Sequence, residues 1–194
     1  MFGRDFSNES YVNMAFRIFT ALESRARGWL YLRLGVFSSE IGSKLVIGRG
    51  CQLIDGRNIH VQGRVKIGSN ARLECHKRES APMKGQIILK DNVSLGNNVH
   101  IGSTDSVELH EGVLVGSNVL ITDHSHGTPR NDVLDRGTAP RDRPLISKGG
   151  IVVESNCWIC DGVVILSGVT VEAGSVLGAN AVIRTSVPLG GIVK

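Results

Sequence analysis

The sequence predicts an all-β chain wound as a parallel β-helix, and three observations carry that prediction. Val153, Ile159, Ile165, Val171, Leu177 and Ile183 are all aliphatic, each six residues from the last. Four residues after each stands Cys157, Val163, Val169, Ser175, Ala181 or Val187, all small or β-branched. Gly, Asn, Asp, Glu and Ser fill much of the space between. An amphipathic helix repeats every three to four residues, and a plain strand alternates briefly and then turns. Alternation with a turn-former every six residues fits short strands joined by corners, three to a coil of eighteen.

The same beat runs upstream. Leu89, Leu95 and Ile101 keep one register, with Val93 and Val99 in the small slot. Leu109, Val115 and Ile121 follow, with Val113 and Val119. The step from Ile101 to Leu109 is two residues too long, so one corner carries an insertion. Further back, Ile41, Ile47, Leu53 and Ile59 fit the beat, followed after a slip by Ile67 and Leu73. Two longer interruptions stand out. One, about residues 76–86, includes His76-Lys77-Arg78 and Pro82; the other, 122–150, holds Pro129, Pro140 and Pro144. A long loop without secondary structure inside a compact domain is usually functional. The chain therefore divides into an N-terminal helical segment, 1–40, and a β-helix domain, 41–194, with the 122–150 loop extruded.

Residues 8–34 read as helix. Tyr11, Ala15, Ile18, Leu22, Ala26 and Trp29 form a stripe at spacings of three and four. Ser7, Asn8 or Ser10 caps its start, and Gly35 follows its end. The stripe is expected to pack on the β-helix or on a neighbouring subunit. The alternative is a peripheral membrane contact through residues 8–34, helped by Arg17, Arg25, Arg27 and Arg33 and diluted by Glu9 and Glu23.

Composition excludes several classes. Net charge is +4, and no basic run with interleaved aromatics marks a nucleic-acid partner. The 24 glycines among 194 residues exceed the average of about 7% and suit a chain with many corners. Cys51 and Cys157 fall in the small slot, a packing role. Cys157 and Cys160 have redox-like spacing, but a three-residue separation on a strand points the thiols apart. Reduced cysteines and the lack of a signal-like apolar start lead to an expected cytoplasmic location, extending to the inner face of the membrane. No stretch reaches the ~20 apolar residues of a membrane span.

Several motifs go beyond the repeat: Ile121-Thr122-Asp123-His124-Ser125-His126-Gly127, then Arg141 to Gly149, then Asn156-Cys157-Trp158-Ile159 and Gly178-Ala179-Asn180-Ala181-Val182-Ile183. With these the chain resembles the hexapeptide-repeat acyltransferases, which fold as left-handed parallel β-helices. It is most similar to the maltose and galactoside O-acetyltransferases and the bacterial polysaccharide O-acetyltransferases. The resemblance covers residues from about 41 onward. It implies acetyl-CoA as co-substrate, no metal, a saccharide acceptor, and a homotrimer with active sites between subunits.

By position in the motif, the general base corresponds to His124, with Asp123 in support and His126 as the second choice; an imidazole suits that role near neutral pH. Cofactor contacts transfer to Trp158, Asp161, Ala179, Arg184 and Thr185, with Lys148 and Arg184 as cations for phosphates. The sequence departs from its look-alikes at Cys160 and Asp161. Gly96 aligns where the galactoside enzymes carry a sugar-binding asparagine. The Gly-x-Pro-Ala segment found near the end of many relatives is missing. Gly96 and the long N-terminal helix, which also differs from those enzymes, shift the expected acceptor from a small free sugar to a surface polysaccharide or its lipid-linked precursor. The competing readings are an N-acyltransferase acting on an amino-sugar nucleotide, a zinc hydratase of the γ-carbonic anhydrase type, and a non-catalytic trimer.

Overall fold

The computed structural model describes residues 6–78, 84–127 and 137–194, with side chains from Met14 onward except Ala15 and Arg17. A 28-residue helix, α1 (Phe6–Arg33), leads into a left-handed parallel β-helix with three faces. Face A stacks Ser38–Ser39, Ile59–Val61, Gln86–Leu89, Ser106–Leu109, Ile151–Val153 and Thr170–Val171. Face B stacks Lys44–Ile47, Arg64–Ile67, Ser94–Leu95, Leu114–Val115, Trp158–Ile159, Val176–Leu177 and Ile192–Val193. Face C stacks Gln52–Ile54, Arg72–Cys75, His100–Ser103, Leu120–Thr122, Val164–Leu166 and Val182–Ile183.

The beat fixes what lies inside. Ile47, Ile67, Leu95, Val115, Ile159 and Leu177 form one buried column, and Leu73, Ile101, Ile121, Ile165 and Ile183 another. Residues of the small slot also point inward, because period-two alternation puts positions two apart on one side. Cys157 is buried there and donates to the Glu172 carbonyl (3.1 Å), while Ser175 donates to the carbonyls of Glu172 (2.7 Å) and Pro188 (3.0 Å). Burial pushes the Cys157 thiol pKa up, which lowers its reactivity.

The upstream register needs two corrections. Ile41 is fully exposed, so the beat does not begin there. Val61, not Ile59, pairs with Leu89, and Ile59 takes the small slot opposite Ile87. The slip therefore sits between Leu53 and Val61, where a one-turn helix, Gly56–Asn58, occupies the corner.

Helix α1 also differs from expectation. It is already helical at Phe6, the first described residue, which places Ser7, Asn8 and Ser10 inside it. Its end follows the sequence: Gly35 has φ +65°, its N–H donates to Leu32 O (3.2 Å), and the Val36 N–H donates to Tyr31 O (3.0 Å), a Schellman stop. The helix does not dock by the anticipated stripe. Ile18, Leu22 and Trp29 are exposed. Docking uses the neighbouring face: Tyr31 and Leu32 pack on the core, and Arg27 donates to Ile47 O (2.8 Å). Gly28 lies so close to the Leu45 carbonyl that a β-carbon would sit 1.8 Å from its oxygen. Close approach at Gly28 selects this face over the more apolar one. Among the described residues, no helix is long and apolar enough to cross a membrane.

Candidate active site

Each coil has three corners, and they differ. At the B-to-C corner the third residue past the buried face B position is left-handed throughout: Gly50, Asn70, Asn98, Asn118, Gly162 and Asn180. Side chains link one coil to the next there. Asn97 Oδ1 accepts from the Ser69 N–H (2.8 Å), Asp161 Oδ1 from the Ser117 N–H (2.6 Å), and Asn98 Nδ2 donates to Asn118 Oδ1 (3.0 Å). The C-to-A corner holds every insertion seen in the sequence: Gly56–Asn58, the 76–85 loop, Thr104–Asp105 and the 123–150 loop.

His124 follows the last face C strand before the long loop. Its Nδ1 lies 3.1 Å from Asp123 Oδ1. Asp123 is completely buried and accepts from Ser103 Oγ (3.0 Å), the Thr104 N–H (2.8 Å), Thr104 Oγ1 (3.1 Å) and the Asp105 N–H (2.7 Å). Burial opposes its charge, but the hydrogen bonds from His124, Thr104, Asp105 and Ser103 outweigh it and hold the carboxyl below its ordinary 3.8. An ionised Asp123 only accepts, so it selects the tautomer with the proton on Nδ1 and leaves Nε2 basic.

The donors to Asp123 belong to the two-residue insertion after Ile101. The sequence shows that insertion as a long step, but not that it cradles a carboxylate one coil on. Glu74, His76, His100 and Gly102 also belong to the site without being marked by the repeat or the motif. Glu74, buried although on the outer side of face C, accepts from Arg72 Nε and has His76 Nε2 and His100 Nε2 each 3.3 Å from Oε2. Burial opposes its charge, yet Arg72, His76 and His100 keep the carboxyl below its ordinary 4.5. The His76 and His124 rings meet edge-on with centroids 5.8 Å apart. Gly102 opens the floor: a β-carbon there would lie 3.0 Å from His124 Cε1 and 3.8 Å from His100 Nε2. The available signal was the tripeptide Glu74-Cys75-His76 entering an interruption. The adjoining Cys75 thiol is pushed by burial to about 12, far from a nucleophile's range.

The remaining candidates divide between two edges. Lys148 lies on the C-to-A corner, its N–H donating to Ser167 Oγ (2.6 Å). Arg184 and Thr185, both exposed, lie on the same corner two coils beyond Thr122, roughly 10 Å at one strand spacing per coil. Trp158 is half-exposed on face B between Leu114 and Val176. Asp161 and Ala179 sit at the B-to-C corner, where Asp161 is engaged by the Ser117 N–H. One face width, roughly 15–20 Å for a six-residue unit, separates these two groups within a chain. His126 is exposed on a hairpin stem, Ser125–His126 against Leu145–Ile146, and residues 128–136 beyond it, including Pro129, lie outside the described residues, as does Pro82. Among the described residues, no group of three or more His, Cys, Asp or Glu is arranged to hold a metal ion.

Relatives share this architecture. The bacterial transferase hexapeptide (six repeats) family matches residues 150–185. A protein named as a lipopolysaccharide biosynthesis O-acetyl transferase, WbbJ of Escherichia coli (strain K12), is 32% identical over 145 residues, covering 74% of each chain. A galactoside O-acetyltransferase of Lactococcus lactis is 26% identical over 48% of this chain and 47% of its own. Among solved structures, a mutant of AntD, an N-acyltransferase from Bacillus cereus in complex with dTDP-4-amino-4,6-dideoxyglucose and coenzyme A, superposes with a TM-score of 0.66. It is 12% identical and covers 84% of this chain and 82% of that one, a likeness of fold alone. The stacked six-residue units, the three-faced coil and the similarity to WbbJ over most of both chains together place this chain in the hexapeptide-repeat acetyltransferases.

Proposed function

We propose that the protein transfers an acetyl group from acetyl-CoA to a hydroxyl of a saccharide, with His124 as general base and Asp123 as the residue that orients it. The single observation that carries this reading is the His124–Asp123 pair, with its carboxylate buried and fixed by four other donor groups. His124 Nε2 receives the hydroxyl proton as the acceptor oxygen bonds to the acetyl carbonyl carbon. The proton then passes to the sulfur as the carbon–sulfur bond breaks. Among the described residues His126 has no carboxylate contact and is exposed on its hairpin strand, which favours His124 as the base.

The co-substrate's phosphates find candidate cations in Lys148 and Arg184, both exposed on the edge that carries His124. Trp158, Ala179 and Asp161 lie one face away, and a homotrimer that sets one chain's C-to-A corner against a neighbour's B-to-C corner reunites the two groups. The O-acetyltransferases among the relatives favour a hydroxyl acceptor, and the lipopolysaccharide biosynthesis named for WbbJ favours surface-polysaccharide assembly. The test is thiol release from acetyl-CoA against a panel of free sugars, oligosaccharides and amino-sugar nucleotides, with the mass of the assembly measured by light scattering. Acetylated hydroxyl products from a trimer bear the reading out. Transfer to amines alone, or full turnover by a monomer, overturns it.

A further inference from the structure

A groove of about 570 Å³ lies between the last turns of α1 and the outer side of the first three face B strands, far from the His124 corner. Trp29 and Leu32 form its apolar wall, and Arg25, Lys44, Arg64 and Lys66 line it with positive charge. None of the lining residues is acidic. All four cations are exposed. The Arg64 guanidinium pairs with the exposed Asp91 at 3.4–3.5 Å, beside the Arg64 N–H bond to the same carboxylate (2.7 Å), and Lys44, which stands directly opposite Arg64 in the strand register, adds a second cation. Like charges facing each other across neighbouring strands are destabilising unless an anion joins them. Lys66 follows two residues along the same strand and faces the same way.

The groove has an apolar extension. Leu22 and Ile18 lie three and seven residues before Arg25, on the helix face that Arg25 and Trp29 present to the groove, and both are exposed. Phe16 and Phe19 nearby are 66% and 61% exposed. The Arg33 guanidinium lies 5.5 Å from the Trp29 ring centroid, adding a fifth cation at the rim. A cluster of cations at one end of an exposed apolar stripe matches a molecule with a charged head and an apolar tail better than it matches a soluble anion.

We propose that this groove binds the phosphate headgroup of a membrane lipid, with Arg25, Lys44, Arg64 and Lys66 on the phosphate and Trp29, Leu22 and Ile18 against the apolar chain. The site thus tethers the chain to a lipid surface, independently of the His124 chemistry.

Sedimentation of the full chain with vesicles tests this. Phosphatidylcholine vesicles are compared with phosphatidylcholine mixed with phosphatidic acid, and inorganic diphosphate is titrated separately. The expected result is partition onto the phosphatidic acid vesicles alone, weakened by salt, with diphosphate binding far more weakly. Lys44→Glu combined with Lys66→Glu lowers that partition by at least about tenfold, taking each basic side chain as worth about fivefold. Trp29→Ala lowers it separately. Acetyl transfer to a water-soluble acceptor stays unchanged in both variants, which confirms folding and separates this result from the fate of the His124 assignment. Equal binding to both vesicle types overturns the proposal, as does partition indifferent to the substitutions or diphosphate binding as tight as vesicle binding. A change in assembly mass on Lys44→Glu with Lys66→Glu also overturns it, by assigning the groove to contact between copies.

Discussion

Two corners of the same coil behave in opposite ways. The B-to-C corner repeats one solution six times: a left-handed Asn or Gly, backed where Asn97, Asn98 and Asp161 stand by side-chain bonds to the neighbouring coil. The C-to-A corner repeats almost nothing. It carries a one-turn helix, two loops, a two-residue insertion, and near its end the regular Gly168 turn. Because the repeating corners and the three ladders already satisfy the backbone, the third corner is free to vary, and lengthening a loop costs little closure entropy. The lesson is a division of labour: regular corners hold the stack, and the irregular one gathers Glu74, His76, Asp123 and His124.

The largest expected effect breaks the irregular corner without touching the stack. His124→Ala should lower acetyl transfer by about 10²–10⁴ while the thermal midpoint stays near that of the parent. Near-full turnover would remove His124 as the base. Gly102→Ala follows. Its new methyl meets the His124 ring at 3.0 Å, a side chain that can give way, so the fold should survive while displacement of the imidazole lowers turnover by up to about 10².

The matching change at the regular corner should do the reverse. A methyl on Gly96 lands 2.5 Å from the Gly116 carbonyl carbon and oxygen, which are backbone and cannot turn aside. Gly96→Ala should cost roughly 1–3 kcal/mol in chemical denaturation. If Gly96→Ala proves harmless and Gly102→Ala unfolds the chain, the contrast between the corners fails.

Acid stability offers a subtler probe. Asp123 has a folded pKa below its ordinary 3.8, so it contributes stability that is full above that value and is lost as the pH falls through the folded one. Asp123→Asn should therefore flatten the fall in thermal midpoint below about pH 4. An unchanged acid limb would mean that Asp123 is not held ionised. The smallest effect belongs to a single repeat of the regular corner: Asn118→Ala, at φ +59°, should cost about 1 kcal/mol, and Asn118→Gly should cost less.

Much of this was legible early. The aliphatic beat from Ile47 through Ile183 and the break at Thr122 follow from local spacing, whereas the preference for His124 over His126 rests on the resemblance to the family's motif. The slip at Leu53 to Val61 was misplaced by one strand position because Ile59 and Val61 are both good inward residues and only pairing with Ile87 and Leu89 chooses between them. The α1 stripe differs for a related reason: of the two surfaces expected to cover it, its own β-helix does not, since the close approach of Gly28 to Leu45 docks the neighbouring face and leaves Ile18, Leu22 and Trp29 exposed.

By itself the sequence determined the coil, its inward residues, its corners and the place where the beat stops, because a six-residue period is a local property of alternation and turn chemistry. Only the tertiary structure decided that every insertion stacks on one edge, that Ser103, Thr104 and Asp105 hold a carboxylate belonging to the next coil, and that Glu74 gathers His76 and His100 beside His124. Apart from the neighbours Glu74 and His76, these partners lie about one coil or more apart along the chain. Their meeting depends on how many residues each corner absorbs and which way each side chain turns, and periodicity encodes neither.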